Sequence, residues 1–139
     1  MINSASVSAE LGLSLVVPDH GPIPLVASMY YSGKDPYAIR MAFHVGTDEP
    51  VQWIFARDLL ATGLQAPTGE GDVQIWPADE DGCEVFNIAL CSPFGQAHFE
   101  APIVAAGDFL KRTFEVIPAG QESKFINLDS ELEELLWRA

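Results

Sequence analysis

Residues 7–17 alternate between apolar side chains and side chains that are mostly small or polar. The apolar positions are Val7, Ala9, Leu11, Leu13, Leu15 and Val17, and the positions between them include Ser8, Glu10, Gly12 and Ser14. A repeat of two residues puts all the apolar side chains on one face of an extended strand, whereas a helix would scatter them around its axis. The segment therefore predicts a long antiparallel strand that buries one face against a core.

Further segments with the composition of strands follow along the chain. The predicted strands are Leu25 to Ser32, Tyr37 to Val45, Val51 to Phe55, a segment that starts at Val73, Glu84 to Leu90 and Gln96 to Ala101. Turn-forming residues separate them, and the acidic segment Asp79 to Gly82 is predicted to be a loop before the last hairpin. The chain therefore predicts about seven mainly antiparallel strands, with Trp53 and Phe55 in the core.

Two helices are predicted between and after these strands. The first spans Ala56 to Thr62 and is expected to end at Gly63 in a left-handed conformation, with Leu64 packing back on the helix. The second starts at Pro102 and ends near Val116, because proline suits a first helical position and apolar residues then recur every three or four positions. Both helices carry an apolar stripe that has to pack on the sheet.

A third helix is predicted at the end of the chain. Gly120 is expected to adopt a left-handed turn conformation, and Lys124 to Ile126 is expected to be extended. Asp129 or Ser130 is then expected to cap the final helix, and Ser130 with Glu133 matches a capping box. These elements predict an α+β fold, a sheet or barrel that carries three helices in a single domain spanning residues 1–139.

The charge of the chain restricts its partners. The 139 residues include 20 acidic and 7 basic side chains, which gives a formal net charge of −13. Between Arg40 and Lys111 the one basic residue is Arg57. Such a surface repels nucleic acid and anionic lipid and favours basic partners. We therefore expect no nucleic-acid binding.

The sequence also predicts a cytoplasmic protein without membrane insertion. No segment approaches the roughly 20 apolar residues of a membrane-spanning helix, and the first residues lack the basic region of a signal peptide. Cys83 and Cys91 fall in one predicted strand, where steps of about 3.3 Å per residue hold them about 26 Å apart. That separation is beyond disulfide reach, so both thiols are expected to stay reduced.

Residue types that carry catalysis lack the spacing that catalysis needs. His98 and Glu100 match the H-x-E part of a zinc deaminase site, but that site also needs a later Pro-Cys-x-x-Cys, and no cysteine follows Cys91. His44 and His98 lie in predicted strands without the clustered cysteines or histidines of a zinc site. A Gly-x-Gly segment lacks the lysine and hydroxyl of a P-loop. We therefore expect no catalytic site, no metal and no cofactor.

A set of short motifs resembles the SsgA-like proteins of sporulating actinomycetes. The motifs are Phe-Ala-Arg-Asp-Leu-Leu at 55–60, Gly63-Leu64, Pro67-Thr68-Gly69, Gly71-Asp72-Val73, Trp76-Pro77, Asp35-Pro36-Tyr37-Ala38, Phe43-His44, Glu100-Ala101-Pro102 and Phe109-Leu110-Lys111-Arg112-Thr113. The motifs cover nearly the whole chain and are specific as a set. The resemblance implies a fold similar to the whirly-like nucleic-acid-binding proteins and a homo-oligomer, expected to be a trimer.

The resemblance also implies a role in developmental cell division. A protein of this family is expected to act without catalysis, at division septa, and to recruit the tubulin-like division protein FtsZ together with other SsgA-like division proteins. The alternative suggested by a whirly-like fold is a single-stranded nucleic-acid-binding protein, which the net charge of −13 disfavours. An enzyme or small-ligand binder is a third hypothesis, for which the sequence offers no group of residues.

Candidate partner contacts lie at three places. In the predicted final helix Trp137 falls off the apolar stripe, between Glu133 and Glu134, and tryptophan beside carboxylates suits an interface with a basic partner. Alternatively, Trp137 only covers its own subunit or a neighbour. Arg57 and Asp58 are either a charge-relay or partner-contact pair or, as we favour, structural residues. In the structural interpretation Asp58 favours the helix N-terminus and Arg57 neutralises a neighbouring acid. Asp79 and Asp81 of the acidic segment are the remaining candidates.

Overall fold

Seven antiparallel strands form one open sheet in the computed structural model, which describes residues 5–44, 49–69, 71–93 and 95–125. The strands are β1 (Ser6–Leu15), β2 (Ile23–Ser32), β3 (Asp35–His44), β4 (Val51–Ala56), β5 (Val73–Glu80), β6 (Cys83–Ser92) and β7 (Gly95–Pro102). Their order across the sheet is β4-β3-β2-β1-β7-β6-β5, so β4 and β5 are the two edges. The predicted seven antiparallel strands are confirmed, and the sheet does not close into a barrel.

The first strand has the predicted alternation. Val7, Leu11 and Leu13 are buried, whereas Ser8 and Glu10 between them are exposed. β1 pairs along its whole length with β2 and at its far end with β7. It therefore lies in the middle of the sheet and joins the half formed by β2, β3 and β4 to the half formed by β5, β6 and β7.

Two α-helices contribute to the core, α1 (Arg57–Gly63) and α2 (Ile103–Val116). α1 contacts β3 and β5, whereas α2 contacts β1 and β6, so the helices join the two halves of the sheet. The helix residues buried in the core cluster are Leu60, Ala106, Phe109 and Leu110. α2 begins one residue after its predicted start at Pro102, as expected for a proline that precedes the first turn.

The C-terminal part differs from the prediction in one described element. Gly120 has the predicted left-handed conformation, with φ of +81°. The predicted extended segment from Lys124 is wrong, because a 3-10 helix, η1 (Glu122–Phe125), occupies that place. Its first residue is held by an ion pair with Arg57, which fixes the turn close to the end of β4. The third predicted helix, from Ser130, lies outside the described residues.

Gly63 is required for a reason other than the predicted one. It is the last residue of α1 and its φ is not positive, and the C-cap residue Leu64 is itself in the right-handed helical region. A Cβ atom on Gly63 would instead lie 2.5 Å from the Cβ atom of Ile75 on β5. Glycine is therefore needed because helix and strand approach closely, and the predicted left-handed ending at this residue is wrong.

The acidic segment after β5 is a hairpin rather than a loop. Asp79 and Glu80 belong to β5, and Asp81 and Gly82 form the turn with φ of +52° and +85°. Two consecutive positive φ values are typical of a type I′ turn, which favours Asp-Gly. The backbone N–H of Gly82 donates to the Asp79 carboxylate at 3.0 Å. The Asp-Gly dipeptide was the signal for a two-residue hairpin turn here.

Candidate functional site: an uncovered sheet edge

β4 is an edge strand without the usual features that prevent further pairing. Its sequence, Val-Gln-Trp-Ile-Phe-Ala, has no charge, no proline and no glycine, and four of its residues favour strands. Phe55 is buried, as predicted, and Trp53 is partly buried against the core. Ile54 is 66% exposed and Val51 is 48% exposed. The alternation of Val51, Trp53 and Phe55 predicts a largely buried strand, but Val51 is exposed because it is the first residue of an edge strand.

The exposed side of β4 continues across two neighbouring strands. Tyr30 on β2 lies opposite Arg40 on β3, which lies opposite Ile54 on β4. The guanidinium carbon of Arg40 is 5.1 Å from the centre of the Tyr30 ring. We call the four exposed residues Tyr30, Arg40, Gln52 and Ile54, together with the free backbone edge of β4, the β4 edge surface. It combines apolar and hydrogen-bonding groups, with one positive charge.

The backbone of β4 adds directional hydrogen-bonding groups to this surface. In an antiparallel pair every second residue directs its N–H and C=O groups away from the neighbouring strand. Half of the six residues of β4 therefore direct these groups away from β3, where the described residues place no further strand. Such a row of donors and acceptors is a template for pairing with another chain.

A buried arginine holds the end of β4 in place. Arg57, the first residue of α1, is 1% exposed and forms an ion pair of 2.8 Å with Glu122, which is the one salt bridge between described residues. Its other terminal nitrogen donates to the carbonyl oxygens of Thr113 and Ile117 at 3.2 and 2.8 Å. These carbonyls lie at the end of α2, where a positive charge is favourable. Arg57 therefore joins β4 to α2 and η1.

Two aromatic rings enclose the same guanidinium group. The guanidinium carbon of Arg57 is 4.9 Å from the centre of the Tyr31 ring and 4.3 Å from that of Phe114. Burial raises the pKa of Tyr31 to about 12, although the charge of Arg57 opposes this shift. Burial also acts to raise the pKa of Glu122, but the hydrogen bond and charge of Arg57, together with backbone hydrogen bonds, lower this pKa.

This position identifies the role of Arg57. The favoured interpretation, a structural residue that neutralises an acid, matches its contacts, and the acid is Glu122. A partner contact through Arg57 is not compatible with 1% exposure, so the β4 edge surface does not include this side chain. Asp58 lies in the first turn of α1 and is exposed, as expected for an acid near a helix N-terminus.

The structure separates the other predicted contacts from β4. Asp79 and Asp81 are exposed at the tip of the β5–β6 hairpin, on the opposite edge of the sheet. Trp137, Glu133 and Glu134 lie outside the described residues. The sequence prediction missed Tyr30, Arg40, Gln52 and Ile54, although the absence of charge and proline in β4 was a usable signal.

The polar groups on the face that includes His98 are engaged with one another. His98 Nε2 is 2.7 Å from the side-chain oxygen of Asn87, and the His98 and Trp76 rings are 5.3 Å apart. Burial, a hydrogen bond with Glu80 and the charge of Glu80 raise the pKa of Glu100. Across residues 5–44, 49–69, 71–93 and 95–125, no group of three or more His, Cys, Asp or Glu side chains could hold a metal ion.

No helix in the described part of the chain is long and apolar enough to cross a membrane.

His44 Nε2 lies 3.0 Å from the Ser28 hydroxyl, and its strand position matches the prediction. Cys83 and Cys91 both lie on β6, as predicted, and both are free thiols.

Comparison with known proteins gives one consistent result. The sequence model of the family described as "Streptomyces sporulation and cell division protein, SsgA" matches residues 25–122. The sporulation-specific cell division protein SsgB of Thermobifida fusca is 56% identical over 134 residues, 96% of this chain and 97% of that protein. SsgB of Streptomyces coelicolor is 48% identical over 133 residues, again 96% of this chain and 97% of that protein.

Solved structures agree with the sequence comparison. A crystal structure of an SsgA-like sporulation-specific cell division protein from Thermobifida fusca matches with a TM-score of 0.88 and 55% identity, covering 96% of this chain and 98% of that one. A structure reported with SsgB mutations that correlate with longitudinal cell division in sporulating Streptomyces coelicolor matches with a TM-score of 0.85 and 47% identity. It covers 90% of this chain and 98% of that one.

Proposed function

We propose, since this chain belongs to the SsgA family of sporulation and cell division proteins, that it regulates sporulation-specific cell division without catalysis, through contacts with other proteins. One observation supports a role in contacts above the others. An uncharged, apolar edge strand lies uncovered by the described residues of a chain whose net charge is −13. Natural sheets usually protect such an edge, so the unprotected edge points to a surface that another chain covers.

The partners that we propose are the tubulin-like division protein FtsZ and other SsgA-like division proteins, at sporulation septa. Recruitment of a filament-forming protein needs an exposed surface rather than an enclosed pocket. The β4 edge surface supplies one, and the acidic residues Asp79 and Asp81 at the opposite edge are a second proposed contact for basic groups. Trp137, Glu133 and Glu134 remain predicted contacts in the final helix.

A homotrimer is the proposed assembly. Light scattering at micromolar concentration is expected to give three times the monomer mass of 15.1 kDa. A monomer under these conditions would contradict the trimer and leave the partner contacts to be tested separately.

The alternative of single-stranded nucleic-acid binding receives little support. Single-strand binders combine stacking aromatic residues with a positively charged groove. Of the seven basic residues, Arg57 is buried in an ion pair and is not available to a phosphate backbone. Tyr30 and Arg40 offer one ring and one charge, which is too little to offset a net charge of −13.

A sedimentation experiment tests the proposed function directly. Purified FtsZ is polymerised with GTP in the presence of this protein and pelleted, and the protein is expected in the pellet with the filaments. A sample with GDP, in which filaments do not form, is the control for aggregation. If the protein stays in the supernatant with filaments at near-physiological salt, and a pull-down from sporulating cells also returns no division protein, the proposed function is wrong.

A further inference from the structure

We infer that β4 binds an extended segment of a partner protein, apolar at its centre and basic at its ends, which joins the sheet as an additional strand. The inference rests on the proposed function, because it names the chemistry of the protein contact that this function needs. It is carried by three features of the described residues: the free backbone edge of β4, the side chains on its two faces and the charges at its two ends.

The backbone edge provides affinity without a defined side-chain sequence. An incoming strand forms hydrogen bonds with the N–H and C=O groups of β4 that point away from β3. Three features that normally prevent this pairing are missing, because β4 has no proline, no charged residue and no bulge in its pairing with β3. All six residues of β4 have a partner on β3, so the pairing continues without a register shift from Val51 to Ala56.

The side chains beside β4 define the centre of the segment. On the outer face the neighbour of the incoming strand is Ile54, which is 66% exposed. On the inner face a groove of about 360 Å³ lies between β4 and the β6–β7 hairpin, and its lining includes Val51 and Trp53 on one side and Phe99 on the other. Successive residues of a strand point to opposite faces, so apolar side chains at alternate positions enter this groove. Valine, isoleucine and threonine suit both faces.

The charges define the ends of the segment. Exposed acids flank β4 on both sides, Glu49 before its first residue and Asp58 after its last. Lysine or arginine at both ends of the incoming segment therefore meets an opposite charge in either direction of pairing, and the net charge of −13 attracts such a segment from a distance.

The same charges argue against pairing of β4 with the β4 strand of a second copy of this chain. Antiparallel pairing of two β4 strands places the start of one beside the end of the other. Glu49 of each copy would then lie beside Asp58 of the other, which gives two contacts between like charges in two chains that already repel each other. A segment of a different protein, basic at its ends, avoids both contacts.

A peptide of this chemistry tests the inference. The probe is a fluorescent peptide with alternating valine and threonine over the length of β4 and two lysines at each end. Two matched peptides carry glutamates in place of the lysines, or N-methyl groups on alternate backbone nitrogens. We expect the lysine peptide to bind and to protect the amides of β4 from hydrogen exchange. The glutamate and N-methylated peptides are expected to bind at least about tenfold more weakly.

Variants of the protein locate the binding site. Ile54→Asp puts a charge on the exposed face of β4 and is expected to weaken binding of the lysine peptide about tenfold or more. Gln74→Asp, on the exposed face of the opposite edge strand β5, is the matched control and should leave binding unchanged. Equal binding of the N-methylated peptide, or protection of amides outside β4, would overturn the inference without depending on how either variant folds.

The same variants separate the inference from the proposed function. If filaments pellet the wild-type protein and the Ile54→Asp variant equally well, strand addition at β4 is wrong and the proposed function stands. If filaments fail to pellet the wild-type protein although the lysine peptide binds β4, the proposed partner is wrong and the binding mode stands. Loss of filament binding in Ile54→Asp, but not in Gln74→Asp, supports both.

Discussion

The two edges of the sheet differ in how far the chain protects them. β5 carries Pro77, which has no N–H to donate, and ends in Asp79 and Glu80. Part of its free side is also occupied, because the N–H and C=O groups of Thr68 and Ile75 exchange two hydrogen bonds of 2.9 Å. β4 has no proline, no charge and no such cover from the described residues.

One segment of chain produces this difference. Residues 57–72 leave β4 through α1, contact the inner side of the sheet and return along β5, where Thr68 pairs with Ile75. Among the described residues, this segment thus covers part of the β5 edge and none covers the β4 edge. An edge that the described residues leave unprotected indicates an interaction surface rather than a packing defect.

The largest expected effect on stability comes from removing the charge of Arg57, which anchors the end of β4. Arg57→Met leaves the buried Glu122 carboxylate without its partner, and loss of one member of a buried ion pair costs about 3–5 kcal/mol in the free energy of unfolding. Urea denaturation measures this loss. Arg40→Met removes an exposed arginine whose guanidinium group lies over the Tyr30 ring, and is expected to cost about 1 kcal/mol or less.

A double variant distinguishes the cost of an unpaired buried charge from the cost of lost packing. Arg57→Met with Glu122→Met replaces the ion pair by apolar side chains, and is expected to recover much of the stability lost in the single variant. A loss in Arg57→Met no larger than that in Arg40→Met would contradict the role of Arg57 as the anchor of β4.

An intermediate effect on stability is expected where α1 packs against β5, the protected edge strand. Gly63→Ala places a methyl group against Ile75 of β5 and is expected to cost about 1–3 kcal/mol, because an overpacked core has to shift. Hydrogen exchange should then increase more in β5 than in β4. Gly107→Ala, in α2, meets no atom within 4 Å and should be neutral or stabilising, since alanine favours helix. Equal effects of the two substitutions would contradict the close approach at Gly63.

The smallest expected effect concerns pH. The pKa of Glu100 is raised, by burial and then by Glu80 on β5, so the folded state favours the protonated form. The stability that protonated Glu100 contributes is therefore fully present below the ordinary carboxyl pKa, and it is lost as the pH rises through the raised pKa. Glu80→Gln removes the repulsion and is expected to stabilise the protein at neutral pH by a few tenths of a kcal/mol.

The ion pair between Arg57 and Glu122 makes the stability of the protein depend on pH in the opposite direction. Burial acts to raise the pKa of Glu122, but the hydrogen bond and charge of Arg57, together with backbone hydrogen bonds, lower it. The stability that this carboxylate contributes is therefore present above the ordinary carboxyl pKa and is lost as the pH falls through the lowered value. The pair of Glu80 and Glu100 is checked by chemical denaturation of the Glu80→Gln variant and the wild-type protein between mildly acidic and neutral pH. A stability difference between them that does not grow with rising pH would contradict the shared hydrogen bond.

The sequence by itself determined the elements that depend on local patterns. The alternation from Val7 to Val17 gave β1, and the apolar repeat after Pro102 gave α2, because burial of one face needs a fixed period along the chain. The predicted left-handed Gly120 was also local, since glycine adopts a positive φ without steric cost. Family resemblance, rather than any of these patterns, supplied the biological role.

The tertiary structure decided the features that depend on residues far apart in the chain. Arg57 and Glu122 are 65 residues apart, and no local spacing predicts that one neutralises the other. Gly63 is required by Ile75, and β4 is an edge because β3 is its one neighbouring strand among the described residues. A period along the chain shows which face of an element is buried. Which elements become neighbours is set by the packing of the whole chain, and that packing leaves Ile54 exposed.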